Sequence, residues 1–267
     1  MPHAGPGAGV DTLLDVRNLC KSFASQAGTV HAVRDVSFRI ARGQTLGLVG
    51  ESGSGKSTTG RCVLHLTPPT SGEVVMGGQP LGGLGRADLR RFRTRMQMIF
   101  QDPYASLNPR MSILECVREP LKIHRRGTTP EQLSRAAELL DLVGIAQRDV
   151  DKSPGRFSGG QLQRVGIARA VALQPDLIVC DEPVSALDVS IQAQVLNLLK
   201  DLQDEFALTY LFISHDLAVI RDMCDQVCVM RGGSIVESGA TGDVLAAPQQ
   251  EYTQELVSAA VRLDKEA

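Results

Sequence analysis

With 267 residues, 43% of them hydrophobic, the chain is long enough to bury a full core as one compact unit carrying an inserted subdomain. A formal net charge of -2 and the lack of tryptophan provide neither a polyelectrolyte surface nor a stacking platform, so nucleic acid is not an expected partner. No apolar run approaches the roughly 18–20 residues that span a bilayer, which excludes this chain as a channel in its own right.

Residues 1–12 are expected to be a disordered start: 1–10 are rich in Pro and Gly and lack the basic and apolar blocks of a signal peptide, which points to the cytoplasm. Residues 13–18 and 30–40 alternate as strands, the second through Val33, Val36, Phe38 and Ile40, and predict an antiparallel platform. The apolar run 46–49 then delivers Gly50-Glu51-Ser52-Gly53-Ser54-Gly55-Lys56-Ser57, which fits G-x-x-x-x-G-K-[ST] and leads through Thr58 into a helical stretch. This is the pattern of a phosphate-binding loop in its proper context. Glycine lets successive N–H groups turn toward phosphate oxygens, and side chains at Gly53 or Gly55 would obstruct them. Lys56 supplies a point charge for the β/γ-phosphates, and Ser57 a hydroxyl for Mg²⁺. Alone, the loop leaves kinases, GTPases and ATPases open.

Arg86, Arg90, Arg91, Arg93 and Arg95 read as the solvated face of a helix. Met98-Ile99-Phe100 reads as a strand, after which Gln101 is a candidate site residue, although Gln beside Asp102-Pro103 also suits a turn. Between 107 and 157 the pattern turns helical, with helices predicted at 113–123 and 131–143 and breaks at Pro109, Pro120, Gly127 and Pro154. Ser158-Gly159-Gly160-Gln161 opens a further helix over 162–173. It offers an anion a second glycine-rich helix N-terminus, and its S-x-x-Q pattern is also a capping box.

The apolar run 177–180 ends in Asp181 and Glu182, as a buried parallel strand does when it carries acids to the C-terminal edge of a sheet. Asp181 suits the Mg²⁺ shell, and Glu182 suits orienting and deprotonating the attacking water. A long helix after 190 leads to the strand 210–213, which ends at Ser214-His215-Asp216 and makes His215 a candidate γ-phosphate contact. Gly232-Gly233 predicts a hairpin between 226–230 and 234–237. Cys20, Cys62, Cys116, Cys180, Cys224 and Cys228 are dispersed, with Cys224 and Cys228 four apart on a predicted helix; neither disulfide nor cysteine-bound metal is expected. There are no internal repeats, so two fused copies are excluded.

In order and spacing, the phosphate loop, Gln101, Phe157-Ser158-Gly159-Gly160-Gln161, residues 177–182, Ser185-Ala186-Leu187-Asp188 and His215 resemble the nucleotide-binding subunit of an ATP-binding cassette (ABC) transporter. The resemblance covers residues 13–259. The stretches 100–111, F-Q-D-P-Y-A-S-L-N-P-R-M, and 181–194, D-E-P-V-S-A-L-D-V-S-I-Q-A-Q, look like the dipeptide, oligopeptide and nickel importer group.

The resemblance implies an α/β fold: a P-loop NTPase core with an N-terminal antiparallel platform, a helical subdomain at about 107–157 and a short tail at 260–267. It implies a Mg²⁺-dependent ATPase acting as a head-to-tail dimer, with Ser158, Gly159, Gly160 and Gln161 reaching the ATP of the partner cassette and Asp188 at the seam. Phe23 matches the aromatic that stacks on adenine, and Gln101 joins Ser57 and Asp181 as a metal ligand. Tyr104, Leu107 and Asn108 match the surface that receives a coupling helix. The implied partners are a second cassette, integral membrane permease subunits and an extracytoplasmic solute-binding protein, with this chain peripheral on the cytoplasmic face. Two features depart from the pattern: the cysteine-bearing tail common in this group is not matched here, and Asp151-Lys152-Ser153-Pro154-Gly155-Arg156 is atypical. The competing reading, a soluble ABC ATPase acting on nucleic acid or ribosomes, predicts tandem cassettes or long coiled-coil insertions, and this chain shows neither. A catalytically dead regulatory cassette is opposed by intact Lys56, Glu182 and His215.

Overall fold

The computed structural model describes residues 11–25 and 28–266; over residues 1–10, the expected disordered start falls outside them. Strands β1 (Thr12–Ser25) and β2 (Gly28–Ala41) pair antiparallel along their whole length, from Thr12 opposite Ala41 to Ser25 opposite Gly28. β1 continues well past residue 18, which brings Phe23 into the platform opposite Val30. Strand β3 (Thr45–Val49) is buried throughout and runs directly into the phosphate loop and helix α1 (Lys56–Val63). Strands β4 (Ser71–Met76) and β5 (Gln79–Pro80) complete the platform in the order β2-β1-β4-β5.

Helix α2 (Arg86–Phe92) exposes Arg86, Arg90 and Arg91, but Arg93 and Arg95 lie beyond it and are half-buried. Arg93 donates to the His65 carbonyl at 3.1 Å, and Arg95 Nε to Asp176 at 2.6 Å. These two are therefore structural ties, which corrects the expectation of one solvated face.

Strand β6 (Met96–Ile99) leads into the helical section: α3 (Pro103–Ser106), α4 (Ile113–Ile123), α5 (Thr129–Leu142) and α6 (Gly159–Val171). Side-chain caps start these helices where the sequence offers them: Asp102 accepts from Tyr104 and Ala105 N–H, Ser112 from Glu115 N–H, and Thr128 with Glu131 forms a capping box. Pro120 was expected to break the pattern, yet α4 runs through it. A proline there forfeits one hydrogen bond, to the carbonyl four residues back. Burial of Ile113, Cys116, Val117 and Leu121 along one face outweighs that loss.

The second half alternates strand and helix: β7 (Leu177–Asp181), α7 (Val189–Phe206), β8 (Thr209–Ser214), α8 (Leu217–Met223), β9 (Gln226–Arg231) and β10 (Ser234–Ala240), then α9 (Thr241–Ala246) and α10 (Glu251–Glu266). Helix α10 continues past residue 259. Cys224 ends α8 and Cys228 lies in β9, so they do not share the helix that their spacing suggested; both are buried and free. The Gly232-Gly233 turn has φ of 55° and 90°, the double left-handed turn that joins twisted hairpin strands, and β10 pairs antiparallel with β9.

The main sheet runs β10-β9-β3-β8-β7-β6, parallel except at the β10 edge. Period-two alternation divides its side chains between two cores. Leu46, Leu48, Leu177, Val179, Leu211 and Ile213 pack with the platform and α1, whereas Ile178, Cys180, Tyr210 and Phe212 pack with the helical section. At Gly60 an added Cβ would come within 2.9 Å of both Ile213 and Val179, so glycine lets α1 lie close against the sheet. The shared strand direction brings the C-terminal ends of β3, β7 and β8 side by side, where ligands of open α/β sheets gather.

Candidate active site

The phosphate loop is built by close backbone approach. Gly50 has φ of 151°, and a Cβ there would lie 2.2 Å from the Met230 carbonyl oxygen; Gly55 has φ of 103°, and its Cβ would lie 2.3 Å from the Ala32 carbonyl oxygen. Gly53 has φ of 79° with nothing within 4 Å of such a Cβ, so conformation rather than space requires glycine there. Gly55 is the N-terminal flank of α1 without any side-chain cap, and the first-turn N–H groups are available to an anion. Ser52 is exposed, Ser54 buried, and Ser57 and Thr58 half-buried along the loop and first turn.

Lys56 is buried and folds back on the loop, donating from Nζ to the carbonyls of Gly50 at 2.7 Å and Glu51 at 2.9 Å. Burial pushes its pKa below the usual lysine value, opposed by the charges of Glu182, Asp181 and Glu51. Across the β3–β8–β7 edge, Ser57 Oγ donates to Asp181 Oδ1 at 2.6 Å, and Arg61 Nη2 lies 4.0 Å from Asp181 Oδ2. Burial raises the Asp181 carboxyl above the usual range; the Ser57 hydrogen bond and Arg61 oppose this, and Glu182 adds to it.

Glu182 follows β7 with φ of 49°, a left-handed conformation rare outside glycine and held here by its N–H to the Ile213 carbonyl and by Ser185 Oγ donating to its own carbonyl. That twist turns the carboxylate into the site, where Gln101 Nε2 donates to Oε2 at 3.0 Å and His215 Nδ1 stands 3.3 Å from the same oxygen. Three residues that the sequence separates by up to 114 positions (101 to 215) therefore meet at one atom. Gln101 also reaches Ser185 Oγ at 3.5 Å, and among the described residues its hydrogen bonds go to these two, not to Ser57 or Asp181. A carboxylate fixed from two sides and beside a phosphate loop can orient a water molecule and accept its proton.

Phe23 is 42% exposed, with Lys21 Nζ 4.9 Å from its ring centre. Its strand partner, Val30, is two residues from Ala32, whose carbonyl lies against Gly55, so this edge of the platform borders the loop. The second anion site is arranged differently. Ser158 and Gln161 form the reciprocal capping box, but among the described residues no hydrogen bond joins 158–161 to 50–58. An added Cβ at Gly160 would meet Ile191 at 2.5 Å, so this helix start packs on α7. Ser158 and Gln161 are exposed, as are Asp188 at the start of α7 and Val189, which is 82% exposed. Tyr104 and Asn108 are exposed, but Leu107, expected beside them on the surface, is only 3% exposed and belongs to the core.

The pattern of loop, acidic strand end and capped glycine helix matches the ABC transporter family over residues 33–185. The chain belongs to the ABC transporter family. A Brucella ovis protein named as a peptide import ATP-binding protein is 52% identical to this cassette over 255 residues, covering 96% of this chain and 80% of its own. The oligopeptide transport ATP-binding protein OppF of Bacillus subtilis is 50% identical over 251 residues, covering 93% and 82%. Among solved structures, the ATP-binding cassette MJ0796, a dimer in a post-hydrolysis state bound to ADP and Pi, superposes with a TM-score of 0.79 at 31% identity, over 86% of this chain and 99% of that one. This cassette thus has the fold of an ABC ATPase.

Sequence reasoning missed Arg61 beside Asp181, Ser185 beside Gln101, and a contact from Tyr252 to Glu51 in the loop. Ser185 stood inside a recognised motif. Tyr252 lies 201 residues from its partner, and no local pattern marks such a contact.

Proposed function

We propose that this cassette is the ATP-binding and hydrolysing motor subunit of an ABC importer for peptides or a related small solute. It works as a head-to-tail pair with a second cassette, on the cytoplasmic face of the membrane, beneath permease subunits supplied by an extracytoplasmic solute-binding protein. The names of the relatives support the solute class. Among the described residues no helix is long and apolar enough to cross a membrane, which fits a division of labour with separate permease chains.

The observation that carries the hydrolytic reading is the convergence of Gln101 and His215 on Glu182 Oε2, beside the Ser57–Asp181 pair. In this reading Glu182 takes the proton of the attacking water, His215 contacts the γ-phosphate, and Lys56 leaves the loop carbonyls for the β/γ-phosphates. A serine hydroxyl and a buried carboxylate in direct contact suit Mg²⁺, which prefers hard oxygen ligands and takes the rest of its shell from phosphate and water. Among the described residues there is no three-member His/Cys/Asp/Glu group, as a phosphate-dependent Mg²⁺ site requires none. Ser57 and Asp181 would hold the ion, with Gln101 swinging from Glu182 to join them. When bound, the ion would supply positive charge that neutralises the phosphates during transfer. The exposed signature start at Ser158, together with exposed Asp188 and Val189, supports a seam where Ser158, Gly159, Gly160 and Gln161 reach the partner's ATP. Exposed Tyr104 and Asn108 support a permease-facing surface.

The direct test is Glu182→Gln. The amide keeps the shape and still accepts from Gln101 through its oxygen, but its nitrogen cannot take a proton. Steady-state hydrolysis is expected to fall about 10²–10⁴-fold with ATP affinity retained. Near-normal turnover would remove the general-base role.

A further inference from the structure

We infer that Tyr252 is a positioning residue for the phosphate loop, so that the C-terminal helix α10 sets the affinity of the site for ATP. The inference rests on the reading of residues 50–58 as the ATP site. The peptide unit between Gly50 and Glu51 is held at both ends: its N–H donates to the Tyr252 hydroxyl at 3.1 Å, and its carbonyl accepts from Lys56 Nζ at 2.7 Å. A peptide is planar, so fixing the N–H direction also fixes the carbonyl that holds the lysine. Tyr252 therefore fixes one rigid plane at the start of the phosphate loop, and its hold on the N–H does not depend on where Lys56 points.

The tyrosine is itself well anchored. It is 4% exposed, and Arg231, at the end of β9, places its guanidinium 4.6 Å from the ring centre. Just before α10, the Gln249 and Gln250 N–H groups donate to the Glu237 carboxylate of β10 at 2.8 and 3.1 Å, which fixes the entry to the helix. The same hairpin touches the loop twice more, through Met230 against Gly50 and Gly233 N–H to the Ser54 carbonyl at 3.0 Å. The β9–β10 hairpin and α10 thus form one wall of the loop, and Tyr252 is the side chain that reaches from α10 to its backbone. Holding the loop before ATP arrives reduces the ordering that binding must impose.

Tyr252→Phe removes only the hydroxyl and keeps the ring under Arg231. Equilibrium titration with ATP in the presence of EDTA, paired with steady-state kinetics, reads the effect. Loss of one hydrogen bond's worth of preorganisation predicts about fivefold weaker ATP binding and an equal rise in KM, with kcat unchanged within about twofold. Unchanged affinity and KM would overturn the inference, as would a fall in kcat alone. Lys56→Ala separates this from the underlying reading: if that variant binds ATP normally, the ATP site itself is misassigned, whereas if it loses ATP while Tyr252→Phe does not, only the role of Tyr252 fails.

Discussion

Two glycines of the phosphate loop give a prediction in which conformation and space can be separated. Gly53→Ala and Gly55→Ala both put a Cβ on a residue with positive φ, 79° and 103° respectively. That costs about 1–2 kcal/mol, offset by about 0.4–1 kcal/mol because alanine narrows the unfolded ensemble, leaving roughly 1 kcal/mol. At Gly53 nothing lies within 4 Å of the new atom, so that figure stands. At Gly55 the Ala32 carbonyl oxygen would lie 2.3 Å away, and because both are backbone, β2 and the loop must separate. Overpacking of that kind adds about 1–3 kcal/mol, for a total of roughly 2–4. Thermal melts of the nucleotide-free protein should fall by about 3 °C for Gly53→Ala and about 6–12 °C for Gly55→Ala. Equal shifts for the two variants would refute the claim that the platform strand β2 sets the loop from behind.

Asp181→Asn separates stability from activity. Burial raises the Asp181 carboxyl in the folded chain, so its contribution to stability is full below the ordinary aspartate range and is lost as pH rises through the raised value. The asparagine variant should therefore melt higher than the parent at neutral pH, with a flatter pH dependence, while its Mg²⁺-dependent ATPase rate falls roughly 100-fold or more; a lower melting temperature at neutral pH would contradict this. Ser158→Arg places bulk and charge on the exposed start of α6 and should abolish ATP-dependent dimers of a Glu182→Gln protein in size-exclusion chromatography; an undiminished dimer would remove the signature from the seam. Asn108→Arg should leave basal ATPase intact and weaken stimulation by assembled permease about fivefold, and full stimulation would move the permease contact elsewhere.

The fold was legible where short-range chemistry dominates. Period-two alternation marked β1 and β2, short apolar runs marked β3, β7 and β8, helical periodicity marked α4, the S-x-x-Q capping box marked α6, and two consecutive glycines marked the β9–β10 turn. Pro120 misled because the rule for proline counts backbone bonds, whereas α4 is held by its buried face. Cys224 and Cys228 misled because helical spacing was extended across the end of α8, where the chain turns into β9. In the site, each residue type was readable from its place at a strand end, but the meeting of Gln101, Glu182 and His215 at one oxygen is a product of strand order and of the twist at Glu182. Leu107 was misplaced because a motif match gives position along the chain without saying which way a side chain points. Tyr252 was beyond reach for the same reason that its contact matters: it joins the C-terminal helix to a phosphate loop 201 residues earlier in the chain.

The central claim is that ATP hydrolysis at this site drives solute import through separate membrane subunits. The most direct measurement is uptake of labelled peptides by cells lacking the gene, complemented with the wild-type chain or with Glu182→Gln. The account predicts that uptake is lost in the deletion, restored by the wild-type chain and not restored by Glu182→Gln. Unchanged import of peptides and related small solutes in the deletion strain, with a ribosomal or nucleic-acid phenotype in its place, would contradict it.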